Sequence, residues 1–168
     1  DQALFRKCIR SAQLAIPPTC ALKDTAGWFA LLTMQTEAYV RTGDFDGARQ
    51  SIRTCLEVAE KQGNPERLAS AYNNMGALYH HMRDDSFSIV MYRKGLETLR
   101  QIPAPESLPM RAELLRNLGG AYGEMNRPKE AMQILREALA ISEQLGDTMG
   151  IATAQSSMGL AAMAAGDW

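Results

Sequence analysis

Asn73, Asn74 and Asn117 are the residues whose type and spacing carry the most chemistry in this chain. An amide donates and accepts at once, so stacked asparagines can hold the main chain of an extended segment whatever its side chains. Arg116, beside Asn117, could add a contact to a carboxylate or phosphate. His80 and His81 invite a metal or catalytic reading. Adjacent helical positions diverge by about 100°, so the two rings chelate one ion poorly. No Ser, Cys or carboxylate stands at a spacing that would orient either ring as a base. Cys8, Cys20 and Cys55 are odd in number and lack CxxC spacing, which argues against a zinc site. Free thiols suit a reducing compartment, so a cytoplasmic location is expected. There is no Gly-rich phosphate loop and no nucleophile constellation. The expectation is no catalytic residue, no metal and no cofactor within these residues.

The elements that must position those amides are all helical. Apolar residues at Leu4, Phe5, Cys8, Ile9, Ala12 and Ile16 predict a helix with one buried face, stopped by Pro17-Pro18. A second helix is predicted through Trp28, Leu32 and Tyr39 to about Thr42, and a third from Asp44 as cap to about Gln62. Gly63-Asn64-Pro65 stops one helix and starts the next, which runs to about Met82. Asp84 or Asp85 caps its successor, to about Gln101. The prolines from Pro103 to Pro109 predict an irregular link that delays the following helix. That helix ends near Met125; Pro128 opens another to about Leu145, and Gly146-Asp147 opens the last, to about Ala165. No segment alternates with the period of a strand.

The helices repeat in phase. Arg53, Arg93 and Arg136 each lie 17 residues beyond Thr36, Gly76 and Gly119. The step onward to the next such site alternates between 26 and 23 residues, with the longer steps at the proline-bearing links. A constant internal step with variable links describes one rigid hairpin copied at 40 or 43 residues. With 46% apolar and 22% charged residues and a net charge of −1, the chain can bury a core. It lacks the concentrated basic face that nucleic acid or a membrane surface requires, and no apolar run approaches a bilayer span. No nucleic-acid or membrane partner is expected.

The repeated stretches Tyr72-x2-Met75-Gly76-x2-Tyr79 and Leu115-x2-Leu118-Gly119-x2-Tyr122, followed by Ser88-x3-Tyr92 and Ala131-x3-Leu135, resemble the tetratricopeptide repeat. Ala48-x3-Ile52 continues the likeness, while Thr36, Gln155 and Ala162 depart from it. The repeats exceed the family's usual length of about 34 residues. They look like the longer-repeat subclass of kinesin light chains, cell-polarity adaptors and bacterial regulators. The resemblance implies an all-α, right-handed superhelical solenoid of antiparallel hairpins with about eight helices. Residues 1–16 would be the second helix of a preceding repeat, followed by repeats at 20–62, 64–101 and 106–145. Residues 147–168 would supply the first helix of a fourth. Ala165-Gly166-Asp167-Trp168 aligns with Thr42-Gly43-Asp44-Phe45, so the expectation is a fragment of a longer array.

In such an array the first helices line a concave groove. The groove face carries Glu37, Arg41, Asn73, Asn74, His81, Glu113, Arg116 and Asn117 as candidate peptide contacts, with Met34 and Met163 as exposed apolar exceptions. Met75, Met82, Met125 and Met158 fall at repeated packing positions. Some family members clamp the C-terminal carboxylates of chaperones with lysine, asparagine and arginine. Here Asn74 keeps the middle asparagine, but the other clamp positions hold Thr33, Glu37, Glu113 and Asn117, so no chaperone-tail binding is expected. The function implied is a protein or peptide interaction module, as scaffold or regulatory sensor. The alternatives are an oligomerisation or spacer array acting through its open ends, or a regulatory domain attached to an enzyme or transcription regulator outside this chain.

Overall fold

The computed structural model describes residues 25–166, with side chains from residue 30 onward. Within them lie seven helices: α1 (Thr25–Thr42), α2 (Phe45–Gln62), α3 (Pro65–His81), α4 (Asp85–Thr98), α5 (Ala104–Glu124), α6 (Pro128–Leu145) and α7 (Thr148–Ala165). The opening helix expected over Gln2 to Ile16 lies outside the described residues, as do Cys8 and Cys20. The architecture is the all-α stack of hairpins that the periodicity implies, and no strand occurs among the described residues.

Local chemistry sets the helix ends. Asp44, Asn64, Asp84 and Asp147 cap α2, α3, α4 and α7, each side chain accepting from a main-chain amide three residues on. Such caps satisfy amides that the first turn leaves unpaired. Gly63 and Gly146 end α2 and α6 in the left-handed region, at φ 59° and 66°. A Cβ would be strained there. Arg83 and Asn126 take the same conformation after α3 and α5.

The proline-rich link departs from expectation. Helix α5 begins at Ala104 and carries Pro109 within it. Pro109 cannot donate to the Pro105 carbonyl, yet both prolines are exposed. Water can satisfy that carbonyl, so the usual penalty of a buried proline does not stop the helix. The 3-10 turn Leu99–Gln101 only completes α4 to about the length of α2, and the inserted residues lengthen the start of α5, which has 21 residues against 17 in α3.

Helices α1, α3, α5 and α7 touch their successors in that series directly, whereas no contact joins α2 to α4 or α4 to α6 among the described residues. A curved stack brings its inner layer closer together than its outer layer. The first helix of each hairpin therefore lines the concave side, and α2, α4 and α6 form the convex side.

Small residues set the hairpin spacing. A Cβ on Gly76 would lie 2.5 Å from Tyr92 Cε1, and one on Gly119 would lie 2.6 Å from Leu135 Cγ. The main core cluster joins Ala69, Tyr92, Leu114, Leu118, Tyr122 and Leu135 across α3 to α6. Met75, Met82 and Met158 pack against the cores. Met125 does not: it is 37% exposed, because α5 ends beside it and the chain turns outward. Cys55 is fully buried, and burial pushes its thiol up to about 12. Since the thiolate is the reactive form, Cys55 is expected to resist iodoacetamide at pH 8 until the protein is unfolded. Mass spectrometry of native and urea-treated samples, with Cys8 and Cys20 replaced by Ser, reads this directly. Rapid native labelling of Cys55 would contradict it.

Candidate functional site: a polar groove with one open amide

The asparagines on the concave side divide into two groups. Asn73 is buried and donates from Nδ2 to Glu113 Oε1 at 2.7 Å. Its Oδ1 accepts from Asn117 Nδ2 at 2.9 Å. The carboxylate can only accept when ionised, so it fixes which end of the Asn73 amide faces it. Asn73 of α3 thus bonds both Glu113 and Asn117 of α5. These bonds hold neighbouring repeats in register, and the Asn73 amide has a partner at each end.

Asn74 is different. Its Nδ2 is buried and finds no acceptor in the protein. An orphan buried donor costs about 1–3 kcal/mol unless something satisfies it. Asn74 lines a cavity of about 410 Å³ between α1 and α3, with Thr36, Val40 and Ala77 among its walls and Glu37, Arg41 and His81 also lining it. Arg41 donates to Glu37 Oε1 from Nε at 3.0 Å and Nη2 at 2.7 Å. His81 is held below the usual histidine value by burial, with His80 and Arg41 adding to the effect.

Of the eight candidate groove residues, the structure brings Glu37, Arg41, Asn74 and His81 to this cavity. It ties Asn73, Glu113 and Asn117 into the neighbouring bonded cluster. Arg116 turns elsewhere. Its guanidinium lies 3.5 Å from Asp147 Oδ2 and donates to Ser142 Oγ at 3.3 Å, at the junction of α6 and α7. Gly150 is packed beneath it, for an added Cβ would lie 2.7 Å from Arg116 Nη1. The sequence places Arg116 next to Asn117, but one helical step of about 100° is enough to send it to a different neighbour.

The two histidines diverge as helical geometry requires, with ring centroids 6.2 Å apart. His81 faces the cavity just described. His80 lines a second cavity of about 450 Å³, with Gly120, Gly123, Glu124, Ser157 and Leu160 among its other walls. One sequence-based expectation is corrected here: a carboxylate does orient His80, since Asp85 Oδ1 lies 2.7 Å from its Nδ1. The turn between α3 and α4 folds the start of α4 back onto the end of α3, a proximity that helical spacing alone does not reveal. Among the described residues no group of three or more His, Cys, Asp or Glu is placed to hold a metal. No described helix is long and apolar enough to cross a membrane.

Thr36 and Val40 are the wall residues that the sequence reading left out of the groove. Val40 lies three positions after Glu37 and seven after Thr33, so the helical stripe was the available signal. Thr36 sits where the later hairpins carry Gly76 and Gly119. It is buried, and still contributes to the cavity wall.

Comparison with known proteins agrees with this geometry. The chain is 24% identical over 151 residues to the regulatory protein AfsR of Streptomyces coelicolor, covering 90% of this chain but only 15% of that protein. It superposes on the crystal structure of BtubC (BKLC) from P. vanneervenii with a TM-score of 0.73 at 22% identity, over 99% of this chain and 65% of that one. Kinesin light chain-type, nearly identical TPR-like repeats from Podosopora anserina give a TM-score of 0.67 at 16% identity, over 98% of this chain and 85% of that one. At these identities the solved structures speak for the fold alone. The tetratricopeptide repeat family model matches residues 35–101 and 69–144, well over half of the sequence. With the phased hairpins and the close contacts of Gly76 and Gly119, those matches place this chain in the tetratricopeptide repeat family.

Proposed function

We propose that this chain is a protein-interaction module that holds an extended segment of a partner against its concave face, with Asn74 as the main-chain contact. Tetratricopeptide repeats suggest protein–protein interaction in general. The observation that carries the specific reading is the buried Nδ2 of Asn74, which has no acceptor within the protein, on a residue that lines a cavity of the inner face. A carbonyl of a bound segment is the commonest group that would satisfy it. The bonded Asn73, Asn117 and Glu113 then act as scaffolding that keeps α3 and α5 at fixed spacing.

Selection of a displayed random peptide library, followed by fluorescence polarisation of the recovered peptides, tests the groove. Asn74→Ala is expected to weaken binding about tenfold or more, a loss of roughly 1.4 kcal/mol. Unaltered binding would remove the reading. A second reading, self-association, draws on Met149, Leu160 and Met163 of α7, which are 75%, 66% and 54% exposed. Light scattering of the same samples separates the two, since a mass independent of concentration leaves only the groove.

A further inference from the structure

The cavity between α1 and α3 is larger than one main-chain contact needs. Its volume of about 410 Å³ falls in the range of roughly 300–1,000 Å³ seen for sites that enclose a small ligand. The Thr36 hydroxyl donates to the Leu32 carbonyl at 2.8 Å, so this wall residue has its proton already engaged. Val40 and Ala77 add apolar wall. Glu37 and Arg41 offset each other, and their side chains stay 63% and 57% exposed. Burial, with His80 and Arg41 adding to it, favours the neutral form of His81. The cavity therefore offers apolar surface from Val40 and Ala77, a Glu37–Arg41 pair whose charges cancel, and the polar side chains of Thr33, Thr36, Asn74 and His81 around it.

We infer that this cavity is an anchor pocket for a bulky uncharged side chain, such as leucine, methionine or phenylalanine, on a segment whose main-chain carbonyl accepts from Asn74. The inference rests on the groove reading above and adds what the pocket selects. A carboxylate side chain entering here would have to compete with Glu37 for Arg41 or lose its water without a partner, which is costly. A lysine would have to share the Glu37 carboxylate with Arg41, which already donates to its Oε1 twice. An alanine would leave most of the volume empty and forfeit the dispersion contacts that filling it provides. A single desolvated anchor of this kind commonly dominates the energetics of an interface.

The test uses fluorescein-labelled decapeptide pools with the fifth residue fixed as Leu, Phe, Ala, Asp or Lys and mixed Gly, Ala, Ser and Thr elsewhere. The Leu and Phe pools are expected to bind at least tenfold tighter than the Asp and Lys pools, with Ala between. Ala77→Leu fills the pocket from the α3 wall and Val40→Phe fills it from the α1 wall. Each is expected to remove the preference for Leu over Ala, and a melting curve checks that each variant folds. Equal binding of the Leu, Ala and Asp pools, or a Leu preference that survives both filled variants, overturns the anchor. If all pools bind alike yet all weaken in Asn74→Ala, the groove reading stands without the anchor. If no pool binds at all, both fall.

Discussion

Tyr92→Ala is expected to lower the stability of the stack by about 3–5 kcal/mol, the usual cost of deleting a buried aromatic side chain. Tyr92 is 2% exposed, and burial pushes its phenol up to about 12. Its ring fills the space that Gly76 leaves open between α3 and α4. For a chain of this size the loss corresponds to a fall of roughly 6–20 °C in Tm. Thermal melting followed by circular dichroism measures it, and a fall under about 2 °C would show that the ring is not a structural plug.

The same pair predicts a reversal of sign. In the native background Gly76→Ala puts a methyl 2.5 Å from the ring, so the ring must shift and the variant is expected to lose about 1–3 kcal/mol. In the Tyr92→Ala background the methyl has room, and replacing a helical glycine with alanine should gain up to about 1 kcal/mol. A double-mutant cycle isolates that coupling. Additive effects would mean that Gly76 matters only as backbone.

The second large effect separates two adjacent asparagines. Asn73→Ala is expected to cost about 1–3 kcal/mol, because Glu113 and Asn117 each lose a partner where α3 meets α5. Glu113 is only half-buried, so water can recover part of the loss and the lower end of that range is expected. Peptide affinity should stay within about twofold for a variant that remains folded. Asn74→Ala should do the opposite, leaving Tm within a few degrees while binding falls. Urea titration and polarisation on the same two proteins decide the matter. Binding lost in Asn73→Ala and kept in Asn74→Ala would exchange the roles assigned here.

Much of the fold was legible from residue types alone because its determinants are local. Asp44, Asn64, Asp84 and Asp147 cap helices through their own next few amides, and Gly63 and Gly146 end helices through their own φ. Gly76 and Gly119 announce close packing through a period that the sequence displays. The proline link misled because the cost of Pro109 depends on whether the Pro105 carbonyl meets water, and exposure is not a local property.

The groove was half legible for the same reason. Helical periodicity puts Asn73, Asn74 and Asn117 on related faces, and the amide chemistry of all three is identical on paper. Only the tertiary structure decides which amides are already bonded. Glu113 comes from the next hairpin, 40 residues on, to engage Asn73, and Asp147 comes from the start of α7 to draw Arg116 away. Five residues on from His80, the chain turns and brings Asp85 to it. The sequence by itself determined the helices, their phase and the repeat that stacks them, because helix formation and capping are read within a few residues. Packing between repeats decided that Asn74 alone of the three keeps a buried donor without a partner, because hydrogen-bond satisfaction depends on neighbours that chain distance does not specify.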